Sequence, residues 1–327
     1  MRAGVSQSAV SRVFTPGASA SKKTVEKVRK AAAELGYRPN VLARSLTTGK
    51  SRIIGLVVAY FENQFYPEAL ERLSNALQAR GYHVLIFMAT QTAENIDLVM
   101  QEILDYQVDG IIMASVALSS ELATTCQDAN VPVVLFNRGQ DGSGVSSVTS
   151  ANVLGGAKVA DFLVAGGHER IAHVSGWHGS STGRDRERGF VQALAKHDQS
   201  PSAIIEGKYT REGAQSATHA LMQADVTPDA IFVANDHMAF AVIDTLNQHY
   251  PELAQEISVV GYDDVPMASW HAYNLTTLRQ PVNRMVEETV TTILDQIEND
   301  GDKTKRIEIE GDLIVRSSAR IPKGWKT

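Results

Sequence analysis

Short hydrophobic runs alternate with stretches of helical periodicity over most of the chain. Each run is about as long as a strand that is buried on both faces of a sheet. The runs lie at residues 53–58, 84–88, 110–114, 131–136, 171–175, 230–234 and 257–262. Helices are predicted near residues 66–80, 94–105, 152–165, 210–224 and 281–299. Continuous apolar strands separated by helices are typical of parallel sheets that helices cover on both faces.

The number of these units indicates how many sheets to expect. More than eight strand and helix units between residues 53 and 320 suggest an α/β body of two doubly wound subdomains, although the pattern alone also fits a single barrel. A length of 327 residues also exceeds what one hydrophobic core supports. In open sheets of this kind, ligands bind at the carboxyl ends of the strands and in the cleft between subdomains.

The first 49 residues follow a different pattern. Ser6 is a good N-cap for a helix over residues 7–14, and a helical projection places Val10, Val13 and Phe14 on one face. The opposite face carries side chains that can hydrogen-bond to base edges or phosphates: Gln7, Ser8, Ser11 and Arg12. Such a face suits a recognition helix in the major groove, and it fits a short surface helix with outward polar residues equally well.

A second helix is predicted from the N-cap Ser21 to a stop at Gly36, and its exposed face is basic. A short helix over residues 40–46, capped by Asn40, follows and must fold against a partner because it is too short to be stable alone. Residues 1–52 contain eleven Lys and Arg against two acids, a net charge of +9, whereas the whole chain carries −6. A basic head on an acidic body is typical of a protein whose first domain meets phosphate groups.

The composition disfavours several classes of protein. No apolar run approaches the length of a membrane span, which is about 18 residues or more, and the first residues lack the features of a secretory signal. The single cysteine, Cys126, excludes an internal disulfide and fits a reducing cytosol. The histidines show no zinc spacing, and neither a nucleotide-binding loop nor a nucleophile motif occurs. We therefore expect a cytoplasmic protein that is not an enzyme, with no metal, cofactor or membrane partner.

Four consecutive motifs resemble signatures of the lactose-repressor (LacI/GalR) family of transcriptional regulators. They are Ala3-Gly4-Val5-Ser6, Val10-Ser11-Arg12-Val13, Leu35-Gly36-Tyr37-Arg38-Pro39-Asn40 and Ala43-Arg44-Ser45-Leu46. The resemblance implies a helix-turn-helix head over residues 1–49 and a hinge helix over residues 40–46. Leu46 would then kink the minor groove of bound DNA, with a core leucine as the alternative. The implied DNA-binding residues are Ser6, Gln7, Ser8, Ser11, Arg12, Asn40, Ala43 and Leu46.

The head departs from the family pattern at its start. Family members have a complete first helix before the Ala-Gly-Val-Ser turn, whereas this chain starts two residues before Ala3. About two helical turns are missing by this comparison. The face formed by Val10, Val13 and Phe14 would lose a packing partner and a set of phosphate contacts. We therefore expect this form to bind an operator weakly, and a form with a complete first helix to bind it more tightly.

The resemblance extends over nearly the whole chain. It implies a periplasmic-binding-protein-like body over residues 53–320, with three crossovers between its subdomains. The N-subdomain would span about residues 53–151 and 281–308, and the C-subdomain about residues 152–280 and 309–320. The implied protein is a homodimer, because two heads must meet the half-sites of a pseudopalindromic double-stranded DNA operator.

Polar residues follow several predicted strands, where they would share one rim. Amides, carboxylates and guanidinium groups at one rim suit a polyhydroxyl ligand, although each alone is more often a cap or turn residue. The resemblance implies effector contacts for Arg186, Asn235 and Asp263, and Tyr60, Phe61 and Trp270 are stacking candidates that fit core packing equally well. The full set of effector-binding candidates is Tyr60, Phe61, Asn137, Arg138, Trp177, Thr182, Arg184, Arg186, Asn235, Asp263 and Trp270.

The expected function is sequence-specific repression of carbohydrate catabolic genes under the allosteric control of a small sugar or sugar acid. Arg138, Arg184 and Arg186 point towards an anionic effector such as a sugar acid or sugar phosphate, while neutral sugars stay open. A transport-type sugar-binding protein is the main rival because it shares the body fold. It would need an export signal, however, and has no use for a basic head.

Overall fold

The computed structural model describes residues 2–14, 18–37, 50–59, 61–89, 93–116, 120–140, 144–299 and 304–325. The chain forms two compact units, Met1–Arg52 and Ile53–Thr327. Four of the predicted site residues lie outside the described residues: Asn40, Ala43, Leu46 and Tyr60. The predicted hinge helix over residues 40–46 lies outside them as well.

The first unit contains the two helices that the sequence predicts, α1 (Gln7–Phe14) and α2 (Lys22–Glu34). Their first turns are capped as expected, because the Ser6 hydroxyl accepts a hydrogen bond from the Ala9 amide at 3.3 Å and the Ser21 hydroxyl accepts one from the Thr24 amide at 3.2 Å. Val28 is buried in α2, whereas α1 has no buried residue. The apolar side of α1 is therefore only partly covered by the residues described.

The second unit is built on two six-stranded sheets. The first sheet is parallel throughout, with strand order β11-β5-β4-β3-β1-β2. Its strands are β1 (Ile53–Val58), β2 (His83–Met88), β3 (Gly110–Ala114), β4 (Val133–Phe136), β5 (Ser146–Ser150) and β11 (Arg306–Ile309). Its helices are α3 (Phe65–Ala79), α4 (Ala93–Asp105), α5 (Ser120–Asp128) and α10 (Val282–Asn299).

Alternation along the strands of this sheet directs side chains to both of its faces. Leu56 packs in one cluster with Leu73 of α3 and Ile293 of α10, whereas Val57 packs in another with Met100 of α4. Each face is therefore closed by its own helices, which explains why the central strands read as continuous apolar runs.

The second sheet has strand order β12-β10-β9-β8-β6-β7, and only the pairing of β12 with β10 is antiparallel. Its strands are β6 (Ile171–Ser175), β7 (Ala203–Glu206), β8 (Ala230–Val233), β9 (Ser258–Asp263), β10 (Thr276–Arg279) and β12 (Leu313–Ile314). Its helices are α6 (Asn152–Ala165), α7 (Ser181–Lys196), α8 (Arg211–Met222) and α9 (Asp236–His249), with a 3-10 turn at Pro266–Ser269. Two separate sheets confirm the predicted doubly wound arrangement and exclude the single barrel.

The chain passes between the two sheets three times, after β5, after β10 and after β11. Among the described helices, none is long and apolar enough to cross a membrane.

Two glycines allow α6 and α7 to touch backbone to backbone. A Cβ added at Gly156 of α6 would overlap the backbone carbonyl of Arg186, and one added at Gly189 of α7 would overlap the backbone carbonyl of Val153. Any other residue would force the two helices apart, because these obstacles are backbone atoms and not flexible side chains. The contact fixes where α7 lies, and α7 carries Arg186.

We predict that Gly189→Ala lowers the free energy of unfolding by at least about 1–3 kcal/mol, the usual cost of overpacking a core. Urea unfolding followed by circular dichroism measures this loss. Gly139→Ala is the matched control, because the nearest atom to an added Cβ there is the Ser181 hydroxyl at 3.8 Å. We expect the control to stay within about 0.5 kcal/mol of the parent. Equal losses in the two variants would contradict the assignment.

Candidate functional site

A small polar cavity lies where the carboxyl ends of the two sheets meet. Its volume is about 20 Å³, room for about one water molecule. Loops after strands of the first sheet, together with α3, supply Asn63, Tyr66, Ser115, Asn137 and Arg138. The second sheet and α7 supply Thr182, Arg186, Tyr209, Asn235 and Asp263. The carboxyl edges of open parallel sheets are where such folds bind ligands.

The guanidinium group of Arg186 is buried and held from several sides. Its Nε donates to Asn152 Oδ1 at 2.9 Å, and one terminal nitrogen donates to the Ala234 carbonyl at 2.6 Å. The same nitrogen lies 3.8 Å from a carboxylate oxygen of Asp263. The guanidinium carbon lies 3.7 Å from the ring centroid of Tyr262, a cation–π contact. Arg186 therefore ties the start of α6 to the ends of β8 and β9.

Asp263 joins the two sheets at the cavity wall. Its Oδ1 accepts a hydrogen bond from Gln280 Nε2 at 2.7 Å, and its Oδ2 accepts one from Asn63 Nδ2 at 3.3 Å. Burial raises the pKa of this carboxyl to about 6, although the positive charge of Arg186 and both donors act in the opposite direction. Because Asn63 follows a strand of the first sheet, its bond to Asp263 crosses the cavity.

Arg138 also reaches across the cavity. Its guanidinium donates to the hydroxyls of Ser180 and Thr182 at the start of α7, the bond to Thr182 measuring 3.1 Å. Its other terminal nitrogen donates to the carbonyl and hydroxyl oxygens of Ser115, at 3.1 and 3.3 Å. Nearby, the Gly139 amide donates to the Ser181 hydroxyl at 2.9 Å.

Several cavity residues have unusual backbone conformations. Ser115, Asn137, Tyr209 and Asp263 all have positive φ, between 54° and 133°. Such conformations cost about 1–3 kcal/mol each for residues other than glycine and cluster at functional sites. Asn137 donates to the Tyr66 hydroxyl at 3.2 Å, whereas its buried Oδ1 has no hydrogen-bond partner. The rigid scaffold thus holds strained residues and one unsatisfied acceptor at the cavity.

Six of the predicted effector residues line the cavity together: Asn137, Arg138, Thr182, Arg186, Asn235 and Asp263. Asn235 also caps α9, because its Oδ1 accepts a hydrogen bond from the Met238 amide at 3.0 Å. Four lining residues were missed by the sequence analysis: Asn63, Tyr66, Ser115 and Tyr209. Ser115 directly follows a predicted strand, so the same strand-end argument could have found it. Tyr209 follows β7, which the hydrophobic pattern did not predict.

Four predicted effector residues lie outside the cavity lining. Phe61, Trp177 and Trp270 are exposed, and Trp270 retains 55% of its surface. Arg184 is also exposed, and its guanidinium donates to the His178 carbonyl at 2.7 Å. Strand-end position groups residues along a sequence, but it does not tell which side of the loop faces the cleft.

A wider open pocket of about 860 Å³ lies at the opposite, amino edge of the second sheet. Several of its polar groups are already bonded within the protein. Asp229 accepts from the amides of Glu169 and Arg170, at 3.2 and 3.1 Å, and the Ser318 hydroxyl donates to the Val259 carbonyl at 2.7 Å. The smaller cavity, with its unsatisfied acceptor, is therefore the better candidate site. No cluster of three or more potential metal ligands occurs in the parts of the chain that the structure describes.

In the first unit, the polar and apolar faces of α1 lie as the helical projection predicts. Gln7, Ser8, Ser11 and Arg12 are exposed, whereas Val10, Val13 and Phe14 are partly buried. The cations of α2 are exposed as well: Lys22, Lys23, Lys27, Arg29 and Lys30. This unit presents hydrogen-bonding groups and positive charge at its surface, the two things that a DNA duplex binds.

Asp236, next to Asn235, is buried against Asp263. Its Oδ1 accepts a hydrogen bond from the Thr277 hydroxyl at 2.6 Å and its Oδ2 accepts one from the Val265 amide at 3.0 Å. Burial, with the negative charge of Asp263, raises the pKa of Asp236 from 3.8 to about 8. Because folding raises this pKa, protonated Asp236 stabilises the folded state. This stabilisation is complete below the ordinary pKa of 3.8 and is lost as the pH rises through the folded-state pKa of about 8.

We predict that Asp236→Asn removes this pH dependence. The amide oxygen can accept from the Val265 amide while the amide nitrogen donates to Thr277. The parent should therefore lose unfolding free energy relative to the variant as the pH rises from about 5 to about 8.5. Urea unfolding of both proteins across this range measures the difference. A difference that does not change with pH would show that Asp236 is ionised throughout.

Comparisons with known proteins agree with this architecture. Residues 1–40 match the family model of bacterial regulatory proteins of the lacI family, and residues 160–319 match that of the periplasmic binding protein-like domain. The HTH-type transcriptional repressor PurR of Vibrio atlanticus (strain LGP32) is 29% identical over 322 residues, which cover 97% of this chain and 96% of that protein. The PurR of Serratia proteamaculans (strain 568) is 28% identical, with coverages of 97% and 94%.

Solved structures give the same result over the whole length. The lac repressor dimer bound to operator and the anti-inducer ONPF superposes with a TM-score of 0.87 at 27% identity, covering 97% of this chain and 96% of that one. The complex of the transcriptional regulator CelR with cellobiose superposes with a TM-score of 0.75 at 28% identity, covering 97% of each chain. The chain therefore resembles the lacI family of bacterial regulatory proteins along its length, with a lacI-type domain at residues 1–40 and a periplasmic-binding-protein-like domain at residues 160–319.

Proposed function

We propose that this protein is a cytoplasmic repressor of carbohydrate catabolic genes, whose affinity for a pseudopalindromic operator is set by a small sugar or sugar acid. The observation that carries the proposal is the cavity, in which amide, carboxylate, guanidinium and phenol groups from both sheets converge, in a chain that also contains a basic helical unit. The relatives are transcription regulators by name, which favours regulation over catalysis.

The first unit supports DNA recognition. Its exposed groups on α1 suit the major groove, where glutamine and arginine can make paired hydrogen bonds to purines. The Ser6 hydroxyl caps α1 by accepting a hydrogen bond from the Ala9 amide. Ser6 would therefore contribute to DNA binding by positioning Gln7 and Ser8. We retain the whole predicted set as DNA contacts, including Asn40, Ala43 and Leu46.

The cavity supports a polyhydroxyl effector. Asn137, Asn235, Asp263 and the two arginines offer donors and acceptors that can each bond adjacent hydroxyls. One structural relative is a complex with cellobiose, a sugar, by its own description. Tyr209 supplies an aromatic surface in the lining, which suits the apolar face of a sugar ring.

The cavity also suggests how the effector acts. A sugar is much larger than a cavity of about 20 Å³, so binding must widen the gap that the bonds of Asn63 to Asp263 and of Arg138 to Thr182 now bridge. We assign residues 53–151 and 281–308 to one moving subdomain and residues 152–280 and 309–320 to the other. An effector that prefers one arrangement of the subdomains changes the affinity for DNA. By linkage, bound DNA changes the affinity for the effector by the same factor.

The edge strand β2 supports a homodimer. Its Ile86 and Met88 are each 54% exposed. Leu98 of α4 and Tyr106, which directly follows α4, are 66% and 49% exposed. Exposed large apolar side chains along a sheet edge often mark an interface. A second copy is the natural occupant, because a two-fold axis brings the same strand of each copy together and a similar protein, the lac repressor, is described as a dimer.

We predict that the protein selects a palindromic duplex from a randomised DNA library. The selected site should bind about 10³-fold or more tightly than random DNA, and the affinity should fall steeply as salt rises because phosphate contacts release counterions. Fluorescence anisotropy measures both quantities, with and without an effector. The proposal would be overturned if neither this form nor a form with a complete first helix enriched any palindrome.

We predict that Met88→Glu converts the dimer into a monomer, because two carboxylates would be buried together at the two-fold interface. Light scattering after size-exclusion chromatography measures the mass. Ile204→Glu is the matched control, since Ile204 is an exposed aliphatic residue, 41% exposed, on the edge strand β7 of the other sheet. A dimer that survives Met88→Glu and is lost in Ile204→Glu would move the interface to the second sheet.

A further inference from the structure

The charge of Arg138 has no counter-charge in the described parts of the chain. Arg138 is only 6% exposed. The hydrogen-bond acceptors of its guanidinium group are the neutral oxygens of Ser115, Ser180 and Thr182. All the acceptors that the structure describes for this guanidinium are therefore uncharged. A buried guanidinium without an anion is costly, and the cost falls when an anion arrives.

The second cavity arginine differs in this respect. Arg186 lies 3.8 Å from Asp263, and that carboxylate already accepts hydrogen bonds from Gln280 and Asn63. Asp263 is thus engaged on the Arg186 side of the cavity. The lining carries two guanidinium groups and one carboxylate, which leaves a single positive charge without a partner.

The helix that receives Arg138 increases this imbalance. Ser180 is the N-cap of α7, a helix of 16 residues, and Thr182 lies in its first turn. The N-terminus of a helix carries a partial positive charge and favours anions. Arg138 therefore places a cation against a helix end that prefers an anion, and the hydroxyls between them can donate hydrogen bonds as readily as they accept them.

A further observation in the same cavity points to a ligand with hydroxyl groups. Asn137, the neighbour of Arg138, is 4% exposed, and its Oδ1 is buried without a hydrogen-bond partner. A buried acceptor of this kind needs a donor. A hydroxyl group next to the anionic group of a ligand would supply it.

We infer that the effector is a sugar acid with one negative charge, whose carboxylate binds between Arg138 and the first turn of α7 and whose neighbouring hydroxyl donates to Asn137. This inference rests on the proposed function and narrows its effector class. A phosphate ester carries close to two charges and would need a second free cation. Arg186 does not offer one, because Asp263, Asn152 and the Ala234 carbonyl hold it.

Thermal unfolding of the full chain with matched sets of ligands tests the inference. Each set contains a neutral aldose, its aldonic and uronic acids, and its 6-phosphate, at about 10 mM. The expected result is that an acid raises the melting temperature most. Titration calorimetry should then show the matched aldose binding about tenfold or more weakly, since a charge-assisted bond is lost. A neutral sugar that binds as tightly as its acid, a phosphate that binds best, or a panel without any binding acid overturns the inference.

Variants separate the role of Arg138 from general effects on the fold. Arg138→Met should lower the affinity for the acid about 10- to 100-fold and abolish its preference over the aldose. Arg138→Lys retains the charge and should retain part of that preference, which keeps the test valid if the methionine variant is unstable. Arg188→Met is the control, because Arg188 lies on the exposed side of α7 and pairs with Asp185 at 2.8 Å. Retention of the full preference in Arg138→Met would overturn the inference.

The outcome also distinguishes this inference from the function on which it rests. A neutral sugar that binds in the cavity and changes operator affinity would overturn the charge assignment and leave the regulator intact. A sugar acid that binds through Arg138 without any change in operator affinity would support the charge assignment and contradict the proposed control of DNA binding.

Discussion

The buried guanidinium of Arg186 is the interaction on which the second unit depends most. It joins α6 through Asn152, the end of β8 through the Ala234 carbonyl, and the end of β9 through Asp263 and Tyr262. Without the guanidinium, Asn152 Oδ1 and the Ala234 carbonyl would lose a hydrogen-bond donor, and the buried Asp263 would lose a neighbouring positive charge. This cavity-lining arginine therefore also holds the loops of the second sheet in place.

The cavity combines costs that a purely structural core would avoid. Non-glycine residues with positive φ, a buried amide oxygen without a donor and a guanidinium without a counter-charge all lie at one point. Single unpartnered atoms occur elsewhere, such as His173 Nε2 in β6, whereas other buried polar groups are paired, such as Ser150 and Tyr262 at 2.8 Å. The concentration of unfavourable features where both carboxyl edges meet is what marks this cavity as a place for binding and not for packing.

The hydrophobic pattern predicts the central strands well because they are buried on both faces. The bounds of β1, β3 and β6 and of helix α6 match the observed elements. It misses β5, whose buried residues 146–150 are mostly serine and threonine, and the edge strand β7, whose Ile204 is exposed. At the site, Asn137, Asn235 and Asp263 directly follow predicted strands and were found, although Ser115 has the same kind of position and was missed. Asn63 and Tyr209 depend on loop conformations, including a positive φ at Tyr209, that no spacing reveals.

The glycine-mediated contact between α6 and α7 has a mechanical consequence. Helices separated by side chains can slide past each other as rotamers change. At Gly156 and Gly189, however, no side chain separates the two backbones. If a bound molecule displaces the first turn of α7, α6 must therefore move together with α7. Because α6 begins directly after β5 of the other sheet, even a shift of less than an ångström beside Thr182 would reach the first crossover between the two sheets.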